Sequence, residues 1–322
     1  MGKIGRPTKK TKEIASLIVQ ETSDNPYISA SDLQYSVSNK LHSSIGQTTI
    51  NNFRNEIGFK FLPPLNEPLL TPQHIEKRIN FCYSILKNRN NLPVIGFSDE
   101  SRFSLGSDKR WLWRRRNERN PNTIIKKEKY AFSIMVWGMI GYGYKPPLYI
   151  LDCTENSEKY QEIIIDNSYL IDAMTFYEGN FALQQDGASP HMTHSSIDAI
   201  SNVCNLLINW PPNSPDLNVI EMIWSIMEKY LNFIHPNNEE ELRNALNMAW
   251  DSINIDIVNK LCESFVKRCF LCLQNRGKCI QHLITKGMDV HVSDDEIENL
   301  FETLKNENIN LNEIELILPK IE

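Results

Sequence analysis

The feature of the sequence that limits the fold most strongly lies between residues 92 and 224. There, short apolar runs alternate with segments of helical periodicity. Alternating or apolar extended runs occupy 92–99, 101–106, 110–116, 130–151, 181–186 and 206–210, and helical patterns occupy 157–176 and 193–203. Strands followed by strand–helix repeats are typical of a mixed sheet with helices packed on it. We therefore expect an α/β domain, and a hydrophobic content of 41% is sufficient to build its core.

The first 58 residues predict three short helices. The patterns indicate helices over 11–21, from Ser29 or Ser31 onward, and over 47–57, with a tight turn before the third. Two helices, a turn and a polar-faced helix describe a helix-turn-helix, although a small bundle with a solvated polar face gives the same pattern. The side chains that would face DNA bases are Gln47, Thr49, Asn51, Asn52 and Arg54.

A basic segment, GRPTKK at 5–10, precedes these helices. Short basic segments of this kind lie in the minor groove of A·T-rich DNA, so Arg6, Lys9 and Lys10 are candidate DNA contacts. A proline-rich stretch after residue 58 reads as a linker. We expect a DNA-binding domain at 1–58, a linker and helix at 59–91, a catalytic domain at 92–288 and an acidic tail at 289–322.

The charge of the chain is unevenly distributed. The net charge is −6, yet residues 109–129 carry nine basic residues against two acidic ones. Local patches rather than the total determine where a polyanion binds, so Arg114, Arg115 and Arg116 are candidate contacts to DNA phosphates. A solvated hairpin edge is the alternative interpretation. The tail carries ten acidic residues against two basic ones, and it is either a solvated helix or a segment that masks a basic surface.

Cysteine spacing allows one metal site that we consider unlikely. Cys269, Cys272, Cys279 and His282 have the spacing of zinc-ligand pairs, but apolar residues surround them, which favours a buried helical segment. Seven scattered cysteines suit reduced thiols. No apolar run is long enough to span a membrane, and no signal peptide is visible, so we expect an intracellular protein that does not bind membranes.

Three acidic residues are the candidates for chemistry. Asp99 and Asp186 each end an apolar strand, where the ordinary interpretation is a turn or a helix cap. Glu221 follows the loop NWPPNSPDL on the border of an apolar helical face, and we expect that helix to begin with Ser214 as its N-cap. A carboxylate at the edge of a core is costly unless a charge offsets it, and a divalent cation shared with a second acid would do so.

The segments FSDESRFSL…WLWRR (97–114), LQQDGASPH (183–191) and WPPNSPDLNVIEMIW (210–224) resemble the three catalytic blocks of Tc/mariner transposases. Thirty-four residues separate Asp186 from Glu221, the spacing of the Tc branch. The resemblance implies an RNase H-like fold with a mixed five-stranded sheet. It also implies that Asp99, Asp186 and Glu221 form a catalytic triad holding two Mg²⁺ or Mn²⁺ ions.

The resemblance further implies cut-and-paste transposition. Water would cut each strand at the transposon ends, and the freed 3′-hydroxyl would attack target DNA at a TA dinucleotide. The expected partners are the terminal inverted repeats and a second copy of the chain, in the nucleus. His191 is a possible auxiliary residue that contacts phosphate or water, with packing as the alternative, whereas Glu100 is expected to point away from Asp99 and to be structural.

Family members usually carry two helix-turn-helix units, and this sequence resembles the second unit with the preceding GRP segment. A first unit is therefore expected to be absent, which leaves an alternative function: a transposon-derived DNA-binding protein without catalysis. A general RNase H-like nuclease is a third interpretation.

Overall fold

The computed structural model describes residues 11–60, 68–105, 132–151, 160–163, 168–284 and 292–321. The chain divides into two compact units, residues 1–66 and 67–322. Two basic segments that the sequence assigns to DNA lie outside the described residues: Arg6, Lys9 and Lys10 in the first, and Arg114, Arg115 and Arg116 in the second.

The first unit contains three helices, α1 (Lys12–Asp24), α2 (Ala30–Leu41) and α3 (Gln47–Glu56). Thr11 caps α1, and Ser29 forms a capping box with Asp32 at the start of α2, which fixes both helix starts. A separate core lies between the helices and consists of Ile14, Ile18, Leu33, Val37, Ile45 and Ile50. The predicted three-helix arrangement is confirmed.

The second unit is built on a mixed sheet. Its strands are β1 (Val94–Ser104), β2 (Ser133–Ile140), β3 (Tyr149–Leu151), β4 (Phe181–Gln184), β5 (Asn205–Leu207) and β6 (Ile317–Leu318). Their order is β3-β2-β1-β4-β5-β6, with β1, β4 and β5 parallel and the other strands antiparallel to their neighbours. The predicted α/β sheet is therefore confirmed, and a sixth strand from the C-terminal segment extends the expected five.

Strand β1 is longer than the sequence suggests. The sequence predicted one strand ending at Asp99 and a second run over 101–106, but β1 continues without interruption to Ser104 because β2 pairs with its whole second half. Pairing with β4 is recorded only for Val94–Phe97. Asp99 therefore lies just beyond the parallel ladder, although it does not end the strand.

Helices cover both faces of the sheet. On one face lie α4 (Pro72–Asn88), α7 (Glu221–Ile234), α8 (Glu239–Ser252), α9 (Ile255–Gln274), α10 (Gln281–Ile284) and α11 (Asp294–Asn306), which form the larger core with one side of β1. Helices α5 (Tyr169–Phe176) and α6 (His194–Ser201) cover the other face. No helix within the described ranges has the length and apolar character needed to cross a bilayer.

The C-terminal segment is part of this architecture. Helix α11 begins at the predicted Ser293 capping box and buries Ile297, Leu300, Phe301 and Leu304 against the larger core. Its acidic side chains remain exposed, as in the solvated-helix interpretation. The chain then pairs as β6 with β5, and the backbone N–H of Ile321 donates to Ser201 O. A masking role for this segment stays a prediction.

Candidate active site

The proline-rich loop before Glu221 folds as consecutive turns rather than as a helix start. Helix α7 begins at Glu221, seven residues after Ser214, so the predicted N-cap at Ser214 is wrong. The N–H of Leu217 donates to Ser214 O, and the N–H of Asn218 donates to Pro215 O, which makes two overlapping turns. The predicted buried stripe of Leu217, Ile220, Trp224, Met227 and Leu231 is confirmed. Glu221 thus occupies the first turn of the helix, where a carboxylate is favoured by the helix dipole.

A buried arginine holds this loop. Arg78 of α4 donates to both carboxylate oxygens of Asp216, at 2.8 and 2.7 Å, and to Ser214 Oγ at 2.7 Å. Its Nε donates to Gly277 O. Asp216 also accepts the N–H of Ile280, so one carboxylate joins α4, the loop and the segment after α9.

A second buried arginine, Arg268 of α9, binds the next part of the loop. Its Nη1 donates to the carbonyl of Asp216 at 2.9 Å and to that of Asn218 at 3.3 Å. Asn218 in turn donates to Ser98 O, which ties the loop to β1 one residue before Asp99. Burial lowers the pKa of Arg268 to about 10, while its positive charge opposes the rise that burial causes in the pKa of Glu221. The loop is therefore fixed from both sides immediately before Glu221.

Asp99 and Glu221 form a carboxyl pair. Burial, followed by the negative charges of Glu221 and Glu100, raises the pKa of Asp99 to about 8. Burial also raises the pKa of Glu221, and the neighbouring Asp99 carboxyl opposes this rise. Two carboxyl groups this close share a proton unless a cation replaces it. The pair is thus a site of negative charge that Arg268 compensates only in part.

Trp224 and Gly138 shape the space beside Asp99. The indole Nε1 of Trp224, one turn after Glu221, donates to Asp99 Oδ2 at 3.1 Å. Gly138 is the partner of Asp99 in β2, and a Cβ added there would lie 2.7 Å from the Trp224 ring. Glycine at this position therefore lets the indole approach the strand and reach Asp99.

Asp186 is held by a different group of residues. His191 Nδ1 lies 2.7 Å from Asp186 Oδ1, and the N–H of Ala188 donates to the same oxygen at 2.9 Å. The hydrogen bond from His191 lowers the pKa of Asp186. Asp186 is therefore an ionised, half-exposed carboxylate.

Strand register aligns the two aspartates. Phe97 of β1 is paired with Gln184 of β4 in the last pair of the ladder, so Asp99 and Asp186 each follow the ladder by two residues. Neighbouring strands are about 4.8 Å apart. The structure brings Asp99 and Glu221 into contact but does not bring Asp186 to the same point. Among the described residues, no three acidic, histidine or cysteine side chains are arranged to hold a metal ion.

The donor set nevertheless suits a divalent cation. All three candidates supply carboxylate oxygens, the ligands that Mg²⁺ and Mn²⁺ prefer. Arg268 offsets only part of the negative charge of the Asp99–Glu221 pair, whose pKa values stay raised, and Asp186 Oδ2 has no hydrogen-bond partner in the part of the chain that the structure describes. The residues present therefore fit such an ion.

The cysteines that the sequence suggested as possible zinc ligands are buried. Cys269 and Cys272 are buried on α9, where burial and contact with Cys82 raise the pKa of the Cys272 thiol. Cys279 is buried as well. The thiols of Cys269 and Cys272 pack in the larger core, as the helical interpretation expects.

The predicted base-reading residues of α3 divide into two groups. Gln47, Asn51 and Asn52 are exposed, and Thr49 is half-buried. Arg54 requires a correction, because its guanidinium donates to Thr22 Oγ1 at 3.1 Å and to Ile28 O at 2.9 Å. Arg54 therefore ties α3 to the rest of the unit instead of pointing outward.

Two family models match the chain over more than half of its length. A transposase helix-turn-helix model matches residues 15–87, and a model of DDE superfamily endonucleases matches residues 94–243. The chain belongs to the Tc/mariner superfamily of transposases. Its second unit is a DDE endonuclease domain, in which Asp99, Asp186 and Glu221 all lie within the matched segment.

Individual relatives agree with this assignment. The chain is 26% identical to the Tc1 transposase of Caenorhabditis elegans over 265 residues, which is 81% of this chain and 97% of the relative. It is 28% identical to the Tc3 transposase of the same organism over 253 residues, which is 76% of this chain and 75% of that relative. The Tc/mariner membership thus extends across both units.

Solved structures of the Mos1 mariner transposase share the fold. A paired-end complex with Mn superposes with a TM-score of 0.70 at 17% identity, covering 86% of this chain and 82% of that one. The isolated Mos1 catalytic domain gives a TM-score of 0.54 and is covered over 98% of its length. The fold of this transposase family member is therefore RNase H-like, as expected.

Sequence reasoning missed both buried arginines. Arg78 lies three residues after Ile75 and one before Ile79, inside the apolar stripe of α4, and Arg268 follows Phe265 by three residues on α9. A basic residue on the buried face of a helix must be paired, and this signal was available from the spacing alone. Its partner, Asp216, could not be identified without the fold.

Proposed function

We propose that the protein is a cut-and-paste DNA transposase that uses divalent metal ions to hydrolyse phosphodiesters at transposon ends and to join them to TA target sites. The observation that carries this proposal is the Asp99–Glu221 carboxyl pair, together with the position of Asp186 two residues beyond the end of the β1–β4 ladder. Family membership supports it, because relatives named as transposases match both units.

Within this proposal, Asp99, Asp186 and Glu221 hold two Mg²⁺ or Mn²⁺ ions. Bound there, the ions would activate water and stabilise the charge that develops on the attacking and leaving oxygens. The chain's own contribution is to hold the three carboxylates in place. Arg78 and Arg268 fix the loop before Glu221, and Trp224 orients Asp99.

The helix-turn-helix unit would bind the terminal inverted repeats. The exposed side chains of Gln47, Asn51 and Asn52 are suited to base edges in the major groove. The basic segments at 5–10 and 109–129 would contact DNA phosphates, which increases affinity without selecting sequence. The solved Mos1 structures include a paired-end complex with the left transposon end, which supports a DNA partner and the pairing of two copies. Action in the nucleus is part of the same proposal.

A cleavage assay tests the proposal. The substrate is a plasmid that carries the genomic segments flanking the coding sequence, incubated with the full chain and Mn²⁺. We expect cuts at the flanking segments that require metal and that are lost in Asp186→Asn and Glu221→Gln. Glu228→Gln is the matched control, because Glu228 lies two turns after Glu221 on the same helix and is exposed.

Three results would contradict the proposal. Binding to the flanking DNA without cleavage would identify a catalytically silent DNA-binding protein. Cleavage irrespective of the flanking sequence would identify a general nuclease. Equal cleavage by the native protein and by Asp186→Asn would remove the carboxylates from the mechanism.

A further inference from the structure

His191 contacts two acidic residues that lie on different strands. Its Nδ1 is 2.7 Å from Asp186 Oδ1, and its Nε2 is 3.5 Å from Glu100 Oε1. The imidazole is almost completely buried, with an exposed side-chain fraction of 3%. An ionised carboxylate only accepts hydrogen bonds, so Nδ1 carries the proton that is donated to Asp186, and Nε2 must carry a second proton to interact favourably with an ionised Glu100, which makes the ring an imidazolium. The ring thus spans the gap between the end of β4 and the face of β1 opposite Asp99.

Neighbouring residues hold the ring itself in place. Tyr160 lies against the imidazole, with ring centroids 4.1 Å apart. The hydroxyl of Tyr160 donates to Gln185 Oε1 at 2.5 Å, and Gln185 Nε2 donates to the carbonyl of His191 at 3.1 Å. Gln185 directly precedes Asp186, so the same network fixes the histidine and the backbone that carries the aspartate.

The two oxygens of Asp186 have unequal surroundings. Oδ1 accepts from both His191 and the N–H of Ala188, whereas no described residue donates to Oδ2. A carboxylate held through one oxygen has a fixed orientation and keeps the other oxygen for a cation. Residues that orient metal ligands in this way are as much a part of metal sites as the ligands.

We propose that His191 is a positioning residue that orients Asp186 for metal binding through Nδ1, and that Glu100 holds the opposite nitrogen of the ring. This inference rests on the proposed metal-dependent function. It replaces contact with phosphate as the role of His191, because the buried ring has both nitrogens directed at carboxylates. It also gives Glu100 a task at the site although its side chain leaves the strand on the face opposite Asp99.

Two substitutions at His191 separate positioning from packing. Asn places its amide N–H near the position of Nδ1, whereas Gln places its amide near that of Nε2, and both lose the stacking on Tyr160. Mn²⁺ binding to the full, DNA-free chain is titrated by electron paramagnetic resonance, because the signal of free Mn²⁺ falls as the ion binds. We expect H191Q to bind Mn²⁺ about 10- to 100-fold more weakly and H191N to stay within about threefold of the native chain.

Substitutions at Glu100 test the other half of the proposal and do not remove the ring. E100A deletes the acceptor beside Nε2 and should weaken Mn²⁺ binding about tenfold, whereas E100Q still offers an acceptor and should restore most of the affinity. Unfolding midpoints of all four variants are measured in parallel. H191Q and H191N should have similar unfolding midpoints, and so should E100A and E100Q. A difference in Mn²⁺ affinity within either pair then cannot be attributed to a difference in stability.

The Asp186→Asn variant distinguishes a failure of the proposed metal site from a failure of the positioning role of His191 alone. If D186N binds Mn²⁺ like the native chain, the proposed metal site itself fails. If D186N loses binding but H191Q and H191N bind equally, the positioning role alone is overturned. Tighter binding by H191Q would also overturn it, since the hydrogen bond would then hold the carboxylate away from the metal. Equal binding by E100A and the native chain would remove Glu100 from the proposal.

Discussion

Arg78 and Asp216 form a buried ion pair with two hydrogen bonds, joining the first helix of the catalytic unit to the loop that ends at Glu221. Removing one partner of a buried pair leaves an uncompensated charge, which costs about 3–5 kcal/mol. We therefore expect Asp216→Asn to lower the free energy of unfolding by about 3 kcal/mol or more, measured by urea denaturation.

The chain offers a matched control for this prediction. Arg276 and Glu307 form the same bidentate arrangement, but both side chains are more than one-third exposed. An exposed pair contributes about 1 kcal/mol or less, so Glu307→Gln should change the free energy of unfolding little. Equal losses for the two variants would show that Asp216 is not a structural anchor of the loop.

The raised pKa of Asp99 predicts a pH dependence of stability in the metal-free protein. Between the ordinary value of 3.8 and about 8, the folded state keeps a proton that the unfolded state has released. The free energy of unfolding therefore falls as the pH rises through this interval, and it levels off above pH 8. Asp99→Asn should flatten this dependence and stabilise the metal-free chain at pH 8, by an amount on the order of a few kcal/mol.

Urea denaturation in EDTA from pH 5 to pH 9 measures this effect. Glu228→Gln serves as the control, because Glu228 is exposed and should leave the slope unchanged. A native protein whose stability is constant or rises between pH 5 and pH 8 would contradict the shared proton.

Arg54 and Asn51 lie on the same helix, α3, but Arg54 is hydrogen-bonded within the unit and Asn51 is exposed, so their substitution should affect stability differently. Arg54→Ala removes two hydrogen bonds from a charged donor to the interior of the unit, and it should lower local stability by about 1.5–3 kcal/mol per bond lost. Asn51→Ala changes an exposed side chain and should stay within about 0.5 kcal/mol. Hydrogen exchange of the α1–α3 amides in the full chain measures the difference, and faster exchange in Asn51→Ala than in Arg54→Ala would reverse the assignment.

Helix α11 provides a further test of the fold. Phe301 is buried and packs edge-on against Tyr83 of α4, with ring centroids 4.8 Å apart. Truncating a core phenylalanine costs about 3–5 kcal/mol, so Phe301→Ala should lower the unfolding midpoint markedly. The adjacent exposed Glu302→Ala should leave it unchanged. Similar midpoints for both variants would mean that the C-terminal segment is dispensable for the catalytic unit.

Much of the fold could be predicted because local patterns determine it. Thr11 and Ser29 mark helix starts by their caps, and the strands around Phe97 and Leu183 have the apolar character of a buried sheet. The predicted helix start at Ser214 was wrong for a physical reason. Serine followed by proline also suits a turn, and here the serine hydroxyl is used by Arg78 from a distant helix.

The residues of the candidate site could be proposed from the sequence, but the residues that hold them in place could not. Asp99, Asp186 and Glu221 were visible through blocks that resemble a family. The pairing of Asp216 with Arg78 joins residues 138 positions apart, and that of His191 with Glu100 crosses strands. Such contacts depend on strand register and helix packing, which no local pattern specifies.

The central claim is that Asp99, Asp186 and Glu221 together bind divalent metal. Anomalous diffraction from crystals of the full chain grown with Mn²⁺ tests it most directly. We predict anomalous peaks with oxygens of all three carboxylates at roughly 2.0–2.2 Å, the coordination distance expected for a small divalent ion. Peaks at other positions only, or none at these carboxylates at a saturating Mn²⁺ concentration, would contradict the account.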